Sequence, residues 1–238
     1  MLKNIFKIIA IFILGMGGGI FADQILWPYF IERPLFYQYR LEQSPIYVTE
    51  RKEVIIQENV ALQNAIEKVE KAVVAIETKT KTGKTLTGSG LVVTSDGLII
   101  TLAELVPEGT SSVFFVDSKI PDYQVLKRDL EKNLALIKLE ETNLSTVSLA
   151  GFDKIRLGQR IFLIGAAREK GNLQKIVNEG IIRTFNDNFI QTNISEETYL
   201  RSSPLFNIEG EVIGLNLVDE EGKISAISIK KVREFIGF

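Results

Sequence analysis

The chain has 238 residues, with 28 Lys+Arg against 30 Asp+Glu and a formal net charge of −2, a balance that excludes the clustered basic surface of a nucleic-acid binder. Cysteine and histidine are both absent, which removes disulfides, thiolate chemistry and every imidazole-based mechanism or zinc site at once. At 45% hydrophobic and 24% charged, with 6 prolines, the composition is that of an ordered globular protein able to bury a core.

The amino end reads as a membrane segment. Lys3 and Lys7 precede an uncharged run from Ile8 to Ala22; counted from Ile5 with Lys7 snorkelling, the helix is about 27 Å long, close to the thickness of a hydrocarbon core. Trp27, Tyr29 and Phe30 follow as an interfacial aromatic group, and the two lysines favour a cytoplasmic amino terminus. This places the rest outside the cytoplasm, on a single-pass anchor over residues 1–30. A basic start, a short apolar centre and the small residue Ala22 also suit a cleaved signal peptide, giving a secreted protein. The retained anchor is preferred, because the apolar and aromatic character continues past the possible cut.

Residues 31–59 carry Pro34 and Pro45 and mixed charge without periodicity, which reads as an extended tether. Phe36, Tyr37 and Tyr39 within it are candidates for self-association or for contact with the membrane interface. A helix is expected over Val60–Ala72, with Leu62, Ile66 and Val69 at helical spacing. From Val73 onward short β-branched and aromatic runs recur: Val73–Thr78, Gly90–Thr94, Leu98–Thr101, Val113–Val116, Leu134–Leu139, Arg160–Ile164, Lys175–Thr184, Phe189–Thr192, Val212–Val218 and Ile224–Ile229. Turn signals such as Ser95-Asp96-Gly97 and Asn186-Asp187-Asn188 separate them, so an all-β sandwich or barrel pair is expected. Lys230–Ile236 reads as a closing helix.

Four blocks then make the sequence recognisable. Gly88-Ser89-Gly90 through Asp96-Gly97 to Thr101, Asn133-Leu134-Ala135 to Lys138, Leu157-Gly158 to Gly165, and Gln191-Thr192-Asn193 with Ser203-Pro204-Leu205-Phe206-Asn207 to Asn216 stand in that order. Together they resemble the HtrA (Deg-type) trypsin-like serine proteases over residues 73–230. The resemblance implies an all-β, chymotrypsin-like double β-barrel, two six-stranded barrels meeting at a cleft, with the domain over residues 60–238 and the boundary near 150. It also implies assembly as trimers or with an active relative, and, with the chain closing at Phe238, no PDZ domain is expected.

Carried over position by position, the same resemblance yields a degenerate triad. Glu104 stands where the family has its histidine, Asn133 where it has its aspartate, and Arg201 where it has the nucleophilic serine. An arginine has neither a hydroxyl nor a removable charge. Tyr199, Ser202 and Ser203 occupy glycine positions of the oxyanion turn; side chains there disfavour positive φ, so that turn is expected to be remodelled. Glu104 and Arg201 are expected to face each other as a salt bridge, with Asn133 hydrogen-bonded to one of them; the alternative leaves both charges solvated.

Other chemistry offers little. Ser202 and Ser203 are neighbouring hydroxyls, and Ser228 with Lys231 matches a Ser-x-x-Lys spacing, which short patterns meet easily. Asp219, Glu220 and Glu221 precede Gly222 and decorate a hairpin rather than a metal site. No cofactor or metal is implied. A non-catalytic, membrane-held domain that binds peptide or protein segments is the expected function, with an unorthodox serine endopeptidase as the alternative.

Overall fold

The computed structural model describes residues 2–32, 60–117, 119–169 and 172–237. Two compact units result, one from Met1 to Ile56 and one from Gln57 to Phe238. The expected tether, with Phe36, Tyr37 and Tyr39, falls outside the described residues.

The first unit begins with α1, Leu2–Phe21, followed by a π-helical segment, Ala22–Glu32. Lys3–Trp27 is long and apolar enough to cross a membrane, with none of its window buried. Ile11, Phe12 and Leu14 are among its exposed apolar side chains. Length and apolarity alone suit an anchor and a signal sequence equally.

The second unit opens with α2 (residues 60–69), which tightens into a 3-10 turn, Glu70–Ala72. Ala65 and Val69 are its buried positions, set at the helical spacing that gives the segment one apolar face. Among the described residues, twelve strands follow in two lobes. The first lobe holds β1 (Val73–Lys79), β2 (Thr85–Val92), β3 (Leu98–Thr101), β4 (Ser111–Phe115), β5 (Tyr123–Asp129) and β6 (Leu134–Leu139). The second holds β7 (Arg160–Glu169), β8 (Asn172–Phe185), β9 (Phe189–Ser195), β10 (Pro204–Asn207), β11 (Val212–Val218) and β12 (Lys223–Ser228), and α3, Ile229–Ile236, closes the fold.

The lobes differ in closure. Strands β7–β12 form a closed barrel in the order β10-β11-β12-β9-β8-β7, whereas β1–β6 form a six-stranded sheet in the order β4-β1-β2-β3-β6-β5. Among the described residues, its edge strands β4 and β5 share no ladder. The Tyr123 side chain joins them: its hydroxyl accepts from the Ser112 backbone N–H at 3.1 Å, and its ring lies 4.9 Å from that of Phe114. The expectation of two closed barrels is thus met in full only by the second lobe. In both lobes the inward strand faces are apolar, with Phe114 and Ile137 buried in the first and Phe162 and Phe206 in the second.

Gly88 sets the approach of the lobes. A Cβ there would lie 2.7 Å from the Arg201 carbonyl oxygen and 2.5 Å from Leu105, so only a residue without a side chain lets β2 run this close to the segment before β10.

Candidate active site

The three triad positions stand on irregular segments at strand ends. Glu104 lies in a 3-10 turn, Ala103–Leu105, directly beyond β3. Asn133 precedes β6 with φ 52° and ties that turn down twice, its carbonyl accepting from the Ala103 N–H at 3.2 Å and its Oδ1 from the Glu104 N–H at 3.1 Å. Asparagine suits this position because its short amide tolerates left-handed backbone and bonds locally. Arg201 follows another 3-10 turn, Thr198–Leu200.

Arg201 Nη1 stands 3.2 Å from Glu104 Oε1, and its Nε donates to the Thr198 carbonyl at 2.9 Å. The guanidinium is therefore folded over its own turn and reaches the carboxylate through one nitrogen. The pair is partly solvated, with side-chain exposure of 25% for Arg201 and 44% for Glu104. Asn133 bonds the Glu104 backbone, not its carboxylate.

The turn itself corrects an expectation. Ser202 keeps a left-handed backbone, φ 62°, despite its side chain. Upstream, the chain winds into the 3-10 turn Thr198–Leu200, where the Leu200 N–H donates to the Glu197 carbonyl at 3.0 Å and the Arg201 N–H to the Thr198 carbonyl at 3.3 Å. The Arg201 N–H, which an oxyanion would need, is spent inside the turn.

Ser202 compensates its strained backbone with hydrogen bonds. Its Oγ accepts from the Leu102 N–H at 3.0 Å and lies 3.0 Å from Thr101 Oγ1, which itself donates to the Ser89 carbonyl at 2.8 Å. Ser203 Oγ donates to the Leu200 carbonyl at 2.6 Å and meets Ser89 Oγ at 3.3 Å, while Ser89 Oγ accepts from the Ala166 N–H at 2.9 Å. Thr101, Ser89, Ser202 and Ser203 are all fully buried. This hydroxyl relay joins β2 and β3 of the first lobe to the segment before β10 in the second. Among the described residues, neither serine Oγ has a carboxylate or an amine as a hydrogen-bond partner, the requirement for making it a nucleophile.

The Ser-x-x-Lys pair does not form a dyad either. Ser228 is the N-cap of α3, its side chain accepting from the Lys230 N–H, and Lys231 pairs with Glu234 at 2.9 Å. Sequence reasoning missed the Thr101–Ser89 part of the relay. Its one signal was polar residues inside apolar strand runs.

Two lobes of antiparallel strands, one a closed six-stranded barrel, with the three marked positions meeting on loops between them, define a trypsin-fold domain. The family model of the trypsin-like peptidase domain matches residues 88–215, more than half of the chain, and the chain belongs to that family. Its relatives are of the HtrA type. It is 31% identical over 101 residues to a probable periplasmic serine endoprotease, DegP-like, of Halomonas elongata, covering 39% of this chain and 21% of that protein. It is 34% identical over 96 residues to a protein of the same description in Pseudomonas putida, covering 37% and 20%. A putative protease, Do-like 14, of Arabidopsis thaliana is 29% identical over 124 residues, covering 47% and 28%. The matched stretch thus spans about a fifth to a quarter of these relatives' own length.

Proposed function

We propose that this chain is a membrane-anchored, extracytoplasmic trypsin-fold protein that binds extended peptide or protein segments without cutting them. The observation that carries the reading is the replacement of nucleophile and base by Arg201 and Glu104, held in contact at 3.2 Å. A guanidinium cannot attack a carbonyl, and a carboxylate beside it has no hydroxyl to deprotonate. The two nearby serines are committed to a buried relay, which supports the same reading.

Binding draws on backbone edges rather than on a nucleophile. The last β10 partner of β11 is Leu215, paired with Pro204. Asn216 bonds Ser202 and Ser203 through its carbonyl and N–H, and the alternation of an antiparallel strand turns the Val218 backbone toward the same side. That edge suits the addition of a peptide strand. The apolar α1 and the periplasmic descriptions of the bacterial relatives support the anchor and the outward placement. Self-association or pairing with an active relative would let such a subunit regulate cleavage by others.

The test is incubation of the detergent-solubilised full chain with reduced, unfolded casein. Saturable binding, with the casein recovered intact by mass spectrometry, is the expected result. Labelling by a serine-directed phosphonate that disappears in Ser202→Ala or Ser203→Ala would overturn the reading in favour of an unorthodox serine endopeptidase. Retention of an unprocessed chain in alkali-washed membranes tests the anchor; a shortened soluble form contradicts it.

A further inference from the structure

The β1–β2 hairpin ends in a rigid, basic tip. Lys79 and Thr85 are its last paired residues. Between them the Thr80 N–H donates to the Lys84 carbonyl at 2.9 Å and the Gly83 N–H to the Thr80 carbonyl at 3.0 Å. Gly83 sits at φ 81°, a backbone that glycine adopts without strain. The Thr80 hydroxyl adds a second bond to the Lys84 carbonyl at 2.8 Å, so the turn is fixed by its own hydrogen bonds.

Lys79, Lys81 and Lys84 are all exposed on this tip. Among the described residues none of the three has a carboxylate within salt-bridge distance. Glu108 precedes Gly109, the residue that Lys81 Nζ approaches, and is itself paired with Arg128 at 3.0 Å. The stretch from Thr78 to Thr87 holds no acidic residue and, apart from Leu86, no large apolar one. The tip thus presents three positive charges on a chain whose other residues sum to −5. Ammonium and hydroxyl donors held together, without acidic or apolar neighbours on the turn, suit anionic headgroups met at the surface rather than by insertion.

Resting on the membrane-anchored reading above, we infer that the β1–β2 tip docks the domain on an anionic lipid surface through Lys79, Lys81 and Lys84. Residues 33–59 can span at most about 90 Å, which keeps the tip within reach of the bilayer that holds α1. Three charges then act on a surface already close by, not on a free encounter. Docking also aims the site. β2 runs from Thr85 at the tip to Gly88 and Ser89, where the Ser89 N–H donates to the Arg201 carbonyl at 3.0 Å. At about 3.3 Å per residue the substituted site stands on the order of 10–15 Å from the tip, so the segments offered to it are those that emerge close to the bilayer.

The chain has no cysteine, so Thr82→Cys gives a single attachment point for a fluorophore at the exposed centre of the tip. The labelled full chain is reconstituted in nanodiscs of phosphatidylcholine alone, or of phosphatidylcholine and phosphatidylglycerol in a two-to-one ratio, each carrying a short-range quencher on its headgroups. The docked-to-free ratio is expected to be at least about tenfold higher in the anionic nanodiscs, read as quenching that falls back when salt is raised. The triple variant Lys79→Gln/Lys81→Gln/Lys84→Gln erases the difference, and Lys79→Arg/Lys81→Arg/Lys84→Arg retains it. Circular dichroism melts of both variants show that the fold is kept. Equal quenching in the two lipids, or a difference that survives the glutamine variant, overturns the inference and leaves the anchor standing. Quenching that responds to an added acidic polypeptide but not to the lipid overturns it as well. A chain that does not stay in the neutral nanodiscs overturns the anchored reading and the inference with it.

Discussion

Two kinds of contact join the lobes at the substituted site, and they sit in opposite environments. The Glu104–Arg201 ion pair is partly solvated, with Glu104 44% exposed, whereas Thr101, Ser202, Ser203 and Ser89 are fully buried. Exposed pairs contribute little, because water and salt screen them and ordering two long side chains costs entropy. A buried donor or acceptor deprived of its partner costs its whole desolvation penalty. The neutral relay is therefore expected to contribute more to the junction of the lobes than the ion pair does.

The relay side of this contrast carries the largest expected effects. Ser202→Val places a β-branched residue at φ 62° in a packed site and is expected to cost about 3 kcal/mol or more in urea unfolding. Ser202→Ala leaves the Leu102 N–H buried without an acceptor and costs about 1–3 kcal/mol. Ser202→Gly loses the same hydroxyl but relieves the left-handed backbone, so it ranks as the mildest of the three. Equal stability across the series would refute the relay's role.

Gly88→Ala probes the same junction from the other lobe. The new methyl meets the Arg201 carbonyl at 2.7 Å and Leu105 at 2.5 Å, and a loss of about 1–3 kcal/mol is expected in thermal or urea melts.

Lys175 offers a case between buried neutral and exposed charged. Burial pushes its ammonium down to about 8 from 10.5, against the opposing charges of Asp117 and Glu70, while its Nζ donates to the carbonyls of Glu70 and Val73. The folded state thus holds this proton less tightly than the unfolded chain. Stability from this group rises as pH climbs from about 8 toward 10.5 and is at its lowest below 8. Relative to Lys175→Gln, the natural chain is expected to gain on the order of 1–2 kcal/mol over that window, allowing for partial solvent screening. A difference that stays flat with pH would contradict the placement.

The smallest effect is assigned to the ion pair. Glu104→Gln should change stability by less than about 1 kcal/mol, and the change should shrink further in high salt.

Much of the fold was legible where burial is continuous. Leu98–Thr101, Leu134–Leu139 and Val212–Val218 were bounded correctly from sequence because their apolar runs coincide with the strands themselves. Two strands escaped notice. β5, Tyr123–Asp129, is an edge strand, mostly exposed along its middle, so no alternating apolar pattern marks it. β10 is four residues long and starts on Pro204, a residue that reads as a turn. β2 begins at Thr85, five residues ahead of the expected start, because Thr85 to Ser89 carries a single large apolar residue, Leu86, among threonines, glycine and serine.

The site was legible to the same degree and for a related reason. Motif order placed Glu104 and Arg201 opposite each other, since strand-end positions are fixed by the strands they follow. The relay was hidden because Thr101 and Ser89 read as ordinary β-strand residues. Only the packing of one lobe on the other brings the Thr101 hydroxyl to Ser202 and the Ser89 hydroxyl to Ser203. Ser202 was misjudged for the converse reason: steric preference alone argues against φ 62°, and the two hydrogen bonds that offset it come from residues about a hundred positions away.

Proteolysis is the most direct measurement of whether the substituted site cuts. Purified full-length chain should leave a quenched-fluorescent unfolded protein intact over many hours, with the Ser202→Ala/Ser203→Ala double variant indistinguishable from it. Turnover by the natural chain that vanishes in that variant would contradict the account.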